Sequence, residues 1–155
     1  MYTGEFYKEV VAHQIIHCGR VNDSLYVGSC PRSLEHISTD MGKRLGITAV
    51  INLQELIDMK EHCQDIIKNG STQPSKHQTD LNTILAVRAA YEQANILLIW
   101  MPIRDYSSVG RELMSPQATV VLKALLDKGH RVYVHCSAGS SSLCIEVGSI
   151  DVLLM

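Results

Sequence analysis

His135 and Cys136 end an apolar run that begins at Val132, and a stretch of small residues follows them. A strand that runs into a small-residue loop can point several backbone N–H groups at one place, which makes a binding site for an anion. A cysteine in such a loop is expected to ionise to the thiolate, because the amides and a following helix N-terminus stabilise its charge. A thiolate that faces a bound phosphate is a nucleophile for covalent phosphoryl transfer.

The segments before Cys136 alternate between two patterns that predict secondary structure. Residues 20–27, which end before Gly28 and Pro31, are predicted as a first strand. Short apolar runs predict further strands at residues 47–53, 96–100 and 131–135. Apolar residues three and four apart predict helices at residues 33–45 and 81–95. A helix at residues 115–128 is also expected, whereas residues 56–67 could be helical or irregular. The 115–128 helix is expected to open at Ser115-Pro116, with Pro in the first turn. The 81–95 helix owes its pattern to Leu81, Ile84, Leu85, Ala89 and Ala90.

This alternation predicts an α/β domain with a mostly parallel central sheet flanked by helices. In such sheets ligands bind outside the carboxyl ends of the strands. Cys136 follows the last predicted strand, so we expect it at that edge. Gly46 is expected to end the first helix, and residues 70–80 are expected to form a surface loop.

Residues 135–139 resemble the phosphate loop of the cysteine-dependent dual-specificity phosphatases, in which a cysteine is followed after five residues by an arginine. Other segments resemble the laforin-like glucan phosphatases of that family, and they lie at 12–14, 27–32, 35–36, 45–50, 99–102 and 128–130. The similarity covers about residues 6–139. It implies the dual-specificity phosphatase fold and hydrolysis of phosphate monoesters on glycogen, other glucans or phosphoproteins.

The resemblance also implies residue roles. Cys136 would be the nucleophile, Asp105 the general acid on a loop before the cysteine strand, and His135 a support for the loop. No metal or organic cofactor is implied. The phosphate would bind to the loop that follows the cysteine: Ser137, Ala138, Gly139, Ser140, Ser141 and Ser142.

One position departs from the family pattern. Ser142 stands where the family has its arginine, and no arginine follows it. Arginine makes a bidentate charged contact with phosphate, whereas serine offers one neutral hydrogen bond. A catalytically impaired relative that binds phosphate or a partner is therefore the alternative to an active enzyme.

The resemblance stops after Gly139. We expect an incomplete phosphatase-like domain at residues 1–139, without the family's C-terminal helices, and a divergent tail at residues 140–155. A third interpretation is a chain that does not fold stably, because one face of the sheet would be bare.

Composition excludes several other classes of protein. Apolar residues make up 46% of the 155 residues and charged residues 19%, which is typical of a globular domain. The net charge of −2 argues against a broad nucleic-acid surface, and no stretch is long and apolar enough for a membrane span. The five scattered cysteines contain no C-x-x-C pair and favour a reducing compartment, so we expect a cytoplasmic protein. Protein partners are not indicated by any motif.

Overall fold

A computed structural model describes residues 16–70, 80–103 and 108–136 of the chain. Over these residues strands and helices alternate, as the sequence predicts. The elements in chain order are β1 (Cys18–Asn22), β2 (Leu25–Gly28), α1 (His36–Arg44), β3 (Ala49–Asn52), α2 (Leu56–His62), α3 (Gln64–Gly70), α4 (Asp80–Gln93), β4 (Leu97–Trp100), α5 (Ser108–Asp127) and β5 (Val132–His135).

The strands form one sheet in the order β1-β2-β5-β3-β4. Strands β2, β5, β3 and β4 are parallel, and only β1 is antiparallel to its neighbour β2. Every residue of β3 and β5 is buried, because apolar and β-branched runs in a parallel sheet are covered on both faces. The predicted α/β fold with a mostly parallel sheet is confirmed.

The first predicted strand was wrong in one respect. Residues 20–27 form a hairpin of two strands, since the chain turns between Asn22 and Leu25. The amide of Ser24 donates to Asn22 Oδ1 at 2.8 Å, and Arg20 pairs with Asp23 across the turn. Asn, Asp and Ser stabilise turns in this way, and here they outweigh the β-propensity of the flanking residues.

Two apolar layers cover the faces of the sheet. One layer contains Ile37 and Met41 of α1, Ile66 of α3 and Val87 of α4. The other contains Leu122 of α5 and residues of β2, β3 and β5. The buried face of α4 consists of Thr83, Ala86, Val87, Ala90 and Tyr91.

The apolar pattern of α4 was a poor guide to its buried face. Leu81 and Leu85 lie at the surface, 63% and 48% exposed, while Ala86 and Ala90 face the protein. Small side chains allow a helix to approach its neighbours closely, so packing rather than residue size selects this face.

The last helix begins earlier than predicted. It starts at Ser108, and Pro116 lies inside it rather than in its first turn. The intervening residues 111–114 are good helix formers, which favours extension of the helix ahead of the proline. Residues 56–67 fall in two short helices separated at Cys63.

Glycines follow α1 and α5 at the points where the chain turns back to a strand. Gly46 has φ +67° and Gly129 has φ +85°, conformations that glycine adopts at little cost. The prediction that Gly46 ends the first helix is therefore confirmed. None of the helices in the described ranges is long and apolar enough to cross a membrane.

Candidate active site

The central strand of the sheet leads directly to Cys136. Strand β5 lies between the parallel strands β2 and β3, and its last residue His135 is in register with Gly28 and Asn52. The amide of Leu53 donates to the carbonyl of His135 at 2.8 Å, which extends the pairing past the end of β3. Cys136 thus emerges at the carboxyl edge of the sheet, where open α/β sheets bind ligands. The structure thus places the Cys136 backbone at the expected edge, and its role as a nucleophile stays a prediction.

The Cys136 side chain is buried, with 3% of its surface exposed. It belongs to the apolar layer under α5, together with Leu53, Ile103 and Ala118. Ile103 is significant because it precedes the predicted general acid Asp105 by two residues. Its amide donates to Leu53 O at 3.1 Å, so the chain leaving β4 runs along the same edge of the sheet.

The remaining predicted site residues lie outside the described part of the chain. Asp105 belongs to residues 104–107, and the predicted phosphate loop lies after Cys136. Their roles therefore stay predictions. The six loop positions concerned are Ser137, Ala138, Gly139, Ser140, Ser141 and Ser142.

His135 is fully buried and is held at both ring nitrogens. Nδ1 lies 2.9 Å from the carbonyl oxygen of Cys136, and Nε2 lies 3.5 Å from the hydroxyl of Tyr91. A carbonyl oxygen can only accept, so Nδ1 carries the hydrogen and Nε2 accepts from Tyr91. Burial lowers the pKa of His135 to about 4, although its hydrogen bond to Cys136 acts in the opposite direction. The ring is therefore neutral at pH 7, and it fixes the backbone at Cys136.

Tyr91 is the proton donor of this pair. Burial is the main cause that raises the pKa of Tyr91 well above 10, with smaller contributions from Cys63 and Cys30. The hydroxyl therefore keeps its proton over the whole physiological range. The sequence pattern gave no sign of this role, because a lone tyrosine in a helix is most often a packing residue.

The segment after β2 is tied to the central strand by Tyr133. Its hydroxyl donates to Ser29 O at 2.7 Å, and its ring lies 5.9 Å from that of His135. Gly28 permits this approach, because a Cβ at that position would collide with the Tyr133 hydroxyl. The backbone around residues 28–30 is thereby fixed beside Cys136.

The segment after β3 is tied to β4 by Trp100. The indole Nε1 donates to Gln54 O at 2.7 Å, and the amide of Gln54 donates to Asn52 Oδ1 at 2.8 Å. Trp100 is half-buried and packs against the layer that contains Tyr91. Its predicted packing role is accompanied by a hydrogen bond that orders the edge of the site.

Metal binding has no support in the residues that the structure describes. Within those ranges, no group of three or more His, Cys, Asp and Glu side chains is arranged to hold a metal ion. The four cysteines in the described ranges, Cys18, Cys30, Cys63 and Cys136, form no disulfide with one another.

Comparison with known proteins connects this arrangement to phosphatases. The chain is 39% identical over 138 residues to laforin from Mus musculus, which covers 89% of the chain and 39% of laforin. It is 29% identical over 128 residues to the chloroplastic phosphoglucan phosphatase LSF1 from Arabidopsis thaliana, covering 81% of the chain and 18% of LSF1. The chain thus spans about two-fifths of the first relative and about a fifth of the second.

The fold is also found in a solved structure. OH1 from the Orf virus, a tyrosine phosphatase with triple substrate specificity, superimposes with a TM-score of 0.50 and 14% identity, covering 99% of this chain and 73% of OH1. At this identity the likeness concerns the fold alone. No protein-family model matches the chain. By sequence the chain is laforin-like, and by fold it is similar to a solved tyrosine phosphatase.

Proposed function

We propose that this chain hydrolyses phosphate monoesters at Cys136 through a cysteinyl-phosphate intermediate. The observation that carries the proposal is the position of Cys136 directly after the central parallel strand, with its carbonyl held by the buried His135 ring at 2.9 Å. A fixed backbone at this point supports a loop whose amides converge on a phosphate. The similarity to laforin and to a phosphoglucan phosphatase favours this chemistry.

The first step transfers the phosphoryl group to sulfur. The Cys136 thiolate attacks phosphorus from the side opposite the ester oxygen, an S–P bond forms and the P–O bond to the leaving group breaks. Asp105, two residues after Ile103 in the sequence, donates its proton to the leaving oxygen. Amides of residues 137–142 stabilise the charge on the equatorial oxygens.

The second step regenerates the enzyme. Asp105, now ionised, accepts a proton from water, and the resulting oxygen attacks phosphorus. The S–P bond breaks, inorganic phosphate leaves and Cys136 returns to the thiolate. Neither step requires a metal ion or an oxidant.

The substrate class follows from the relatives. We infer a phosphorylated glucan or a phosphoprotein. The name of LSF1, a phosphoglucan phosphatase, supports the glucan, and the similarity to laforin supports a phosphatase substrate in general. Ile57, at the exposed start of α2 beside the edge, is 68% exposed and is available to contact a bound chain. An aliphatic side chain here offers less stacking with a sugar than an aromatic one would.

Hydrolysis of an aryl phosphate tests the proposal. We expect measurable turnover in the parent chain, loss of turnover in Cys136→Ser and a decrease of about 10²-fold or more in Asp105→Asn. Cys18→Ser is the matched control, since Cys18 lies in the edge strand β1 and is half-buried. Equal turnover in the parent and in Cys136→Ser would refute the proposal.

Ser142 favours a second candidate function, which is binding of phosphate esters without turnover. Without the arginine, the site loses a positive charge that would stabilise the transition state, whereas the backbone amides that bind phosphate remain. In that case the chain binds a phosphorylated glucan and binds the dephosphorylated glucan more weakly, but it releases no phosphate. A binding measurement beside the phosphate-release assay distinguishes the two functions.

A further inference from the structure

Two buried cysteines that the phosphatase chemistry does not use lie together near the carboxyl edge of the sheet. Cys30 follows β2 and is 1% exposed, and Cys63 separates α2 from α3 and is 2% exposed. Cys63 Sγ lies 3.5 Å from the carbonyl oxygen of Pro31, the residue next to Cys30. Cys30 also contributes to the raised pKa of the Cys63 thiol, which indicates that the two side chains are neighbours. The fold therefore brings together two sulfurs that are distant in the sequence.

The surroundings connect this thiol pair to the central strand. Cys63 Sγ lies 4.0 Å from Gln54 Oε1, in the segment that follows β3. Both cysteines contribute to the raised pKa of Tyr91 after burial, and the Tyr91 hydroxyl lies 3.5 Å from His135 Nε2. A change at the sulfurs therefore acts on the same side chains that fix the backbone at Cys136.

We propose that Cys30 and Cys63 are a redox-sensitive dithiol that a small peroxide oxidises to an intramolecular disulfide, without participation of Cys136. The inference does not rest on the proposed phosphatase function. It requires two adjacent thiols and an oxidant small enough to reach a buried site, and hydrogen peroxide, which is little larger than water, meets that condition.

The reaction is balanced with peroxide as the two-electron oxidant. The Cys30 sulfur attacks one oxygen of the peroxide, the O–O bond breaks, and a sulfenic acid and one water are produced. Cys63 then loses its proton and attacks the Cys30 sulfur, which expels the sulfenic oxygen as a second water. Two thiols lose two electrons and two protons, and peroxide is reduced to two waters.

The backbone at both positions allows the sulfurs to approach. Cys63 lies at the junction of two short helices with φ −111° and ψ 28°, and Cys30 lies outside regular secondary structure. The neighbouring Cys30 and burial raise the pKa of Cys63 well above its usual value. A raised pKa makes Cys63 a poor first nucleophile toward peroxide.

The test measures which cysteines become linked in the full chain. The parent and Cys136→Ser are reduced, freed of reductant, treated with hydrogen peroxide, unfolded, alkylated and digested for mass spectrometry. We expect an intact mass lower by two hydrogens, a peptide pair joined through Cys30 and Cys63 in both proteins, and reversal by dithiothreitol. Cys63→Ser should lose this pair, whereas Cys18→Ser should keep it.

Three outcomes would overturn the proposal. Both cysteines remain fully alkylated after peroxide, or Cys30 becomes linked to Cys136 instead of Cys63, or the link joins two copies of the chain on a non-reducing gel. The parent protein gives the answer without any substitution, so poor folding of Cys63→Ser does not affect it. Phosphatase activity does not enter the measurement, and failure of the proposed function is thus distinguishable from failure of this inference.

Discussion

The hydroxyl of Tyr91 lies 3.5 Å from Nε2 of His135, and it joins helix α4 to the residue that precedes Cys136. Both side chains are fully buried. The other nitrogen of the same ring lies 2.9 Å from the Cys136 carbonyl oxygen. The His135 ring therefore connects helix α4 to the backbone at the end of the central strand.

Removal of the Tyr91 hydroxyl should destabilise the fold. Tyr91→Phe leaves Nε2 of His135 buried without this donor, and an unsatisfied buried polar atom costs about 1–3 kcal/mol. We expect the free energy of unfolding, measured with urea, to fall by that amount. The reaction of Cys136 with iodoacetamide should also change, because the ring that holds its carbonyl becomes less ordered.

A double-mutant cycle separates this contact from general packing. In a His135→Leu background the Tyr91 hydroxyl has lost its imidazole partner, so Tyr91→Phe should cost less there than in the parent. An equal cost in both backgrounds would show that the two side chains do not interact.

The titration of His135 should make stability depend on pH. Burial lowers its pKa from an ordinary value of 6.5 to about 4 in the folded chain. Between these values the unfolded chain takes up a proton that the folded chain does not, so stability falls as the pH is lowered. The total loss from about pH 6.5 to about pH 4 is on the order of 3 kcal/mol, and this group contributes no change above that window.

Urea unfolding across this pH range checks the prediction. The parent should lose more stability between pH 7 and pH 5 than His135→Gln, which has no imidazole to titrate. Identical pH profiles for the two proteins would mean that His135 becomes protonated equally well in the folded and unfolded chains.

The alternation of strands and helices was readable from the sequence because the buried strands are continuous apolar runs. Residues 131–135 and 96–100 were placed to within one residue at their ends. The hairpin at Asn22–Leu25 was missed, because residues 20–27 were predicted as one strand in spite of the three polar residues at 22–24. The early start of α5 was missed because Pro116 is a stronger local signal than the helix formers before it.

Only those parts of the site that depend on neighbouring residues in the sequence could be predicted. Cys136 follows a strand, and its place at the sheet edge required no tertiary information. The contacts of Tyr91 and Trp100 join segments far apart in the chain, to His135 and Gln54 respectively, so no local pattern contains them. Asp105 lies outside the described residues and keeps the role that the resemblance implies.

A methyl group at Gly28 should disrupt the packing beside Cys136. An alanine Cβ there would collide with the Tyr133 hydroxyl and would come within 2.5 Å of the His17 carbonyl oxygen and 2.7 Å of Cys18 Cβ. Because the His17 carbonyl oxygen belongs to the backbone and Cys18 Cβ is attached to it, the collision can be relieved only if β1 and β2 move apart. We expect Gly28→Ala to lower the free energy of unfolding by about 1–3 kcal/mol or more.

Gly19→Ala is the matched control for this substitution. It adds the same methyl group to the neighbouring strand, where the nearest atom is 4.0 Å away. Its effect on urea unfolding should be within about 0.5 kcal/mol of zero. Comparable losses in the two variants would indicate that strand propensity, rather than the collision at Gly28, determines the cost.

An arginine at position 142 should raise the phosphatase rate. Ser142→Arg supplies a guanidinium for bidentate contact with the phosphate oxygens, and contacts of this kind are worth about 10³–10⁵-fold in other phosphoryl transfers. We expect aryl phosphate hydrolysis to increase by about 10³-fold, with the increase abolished by Cys136→Ser.

Ser141→Arg adds the same charge one residue earlier and distinguishes geometry from simple attraction of an anion. It should give no more than a small increase, and that increase should vanish at high salt. Equal gains in the two variants would indicate attraction alone. If neither variant gains activity although both melt cooperatively, residues 137–142 do not form a phosphate loop, and Cys136 then lacks the amides on which its proposed role depends.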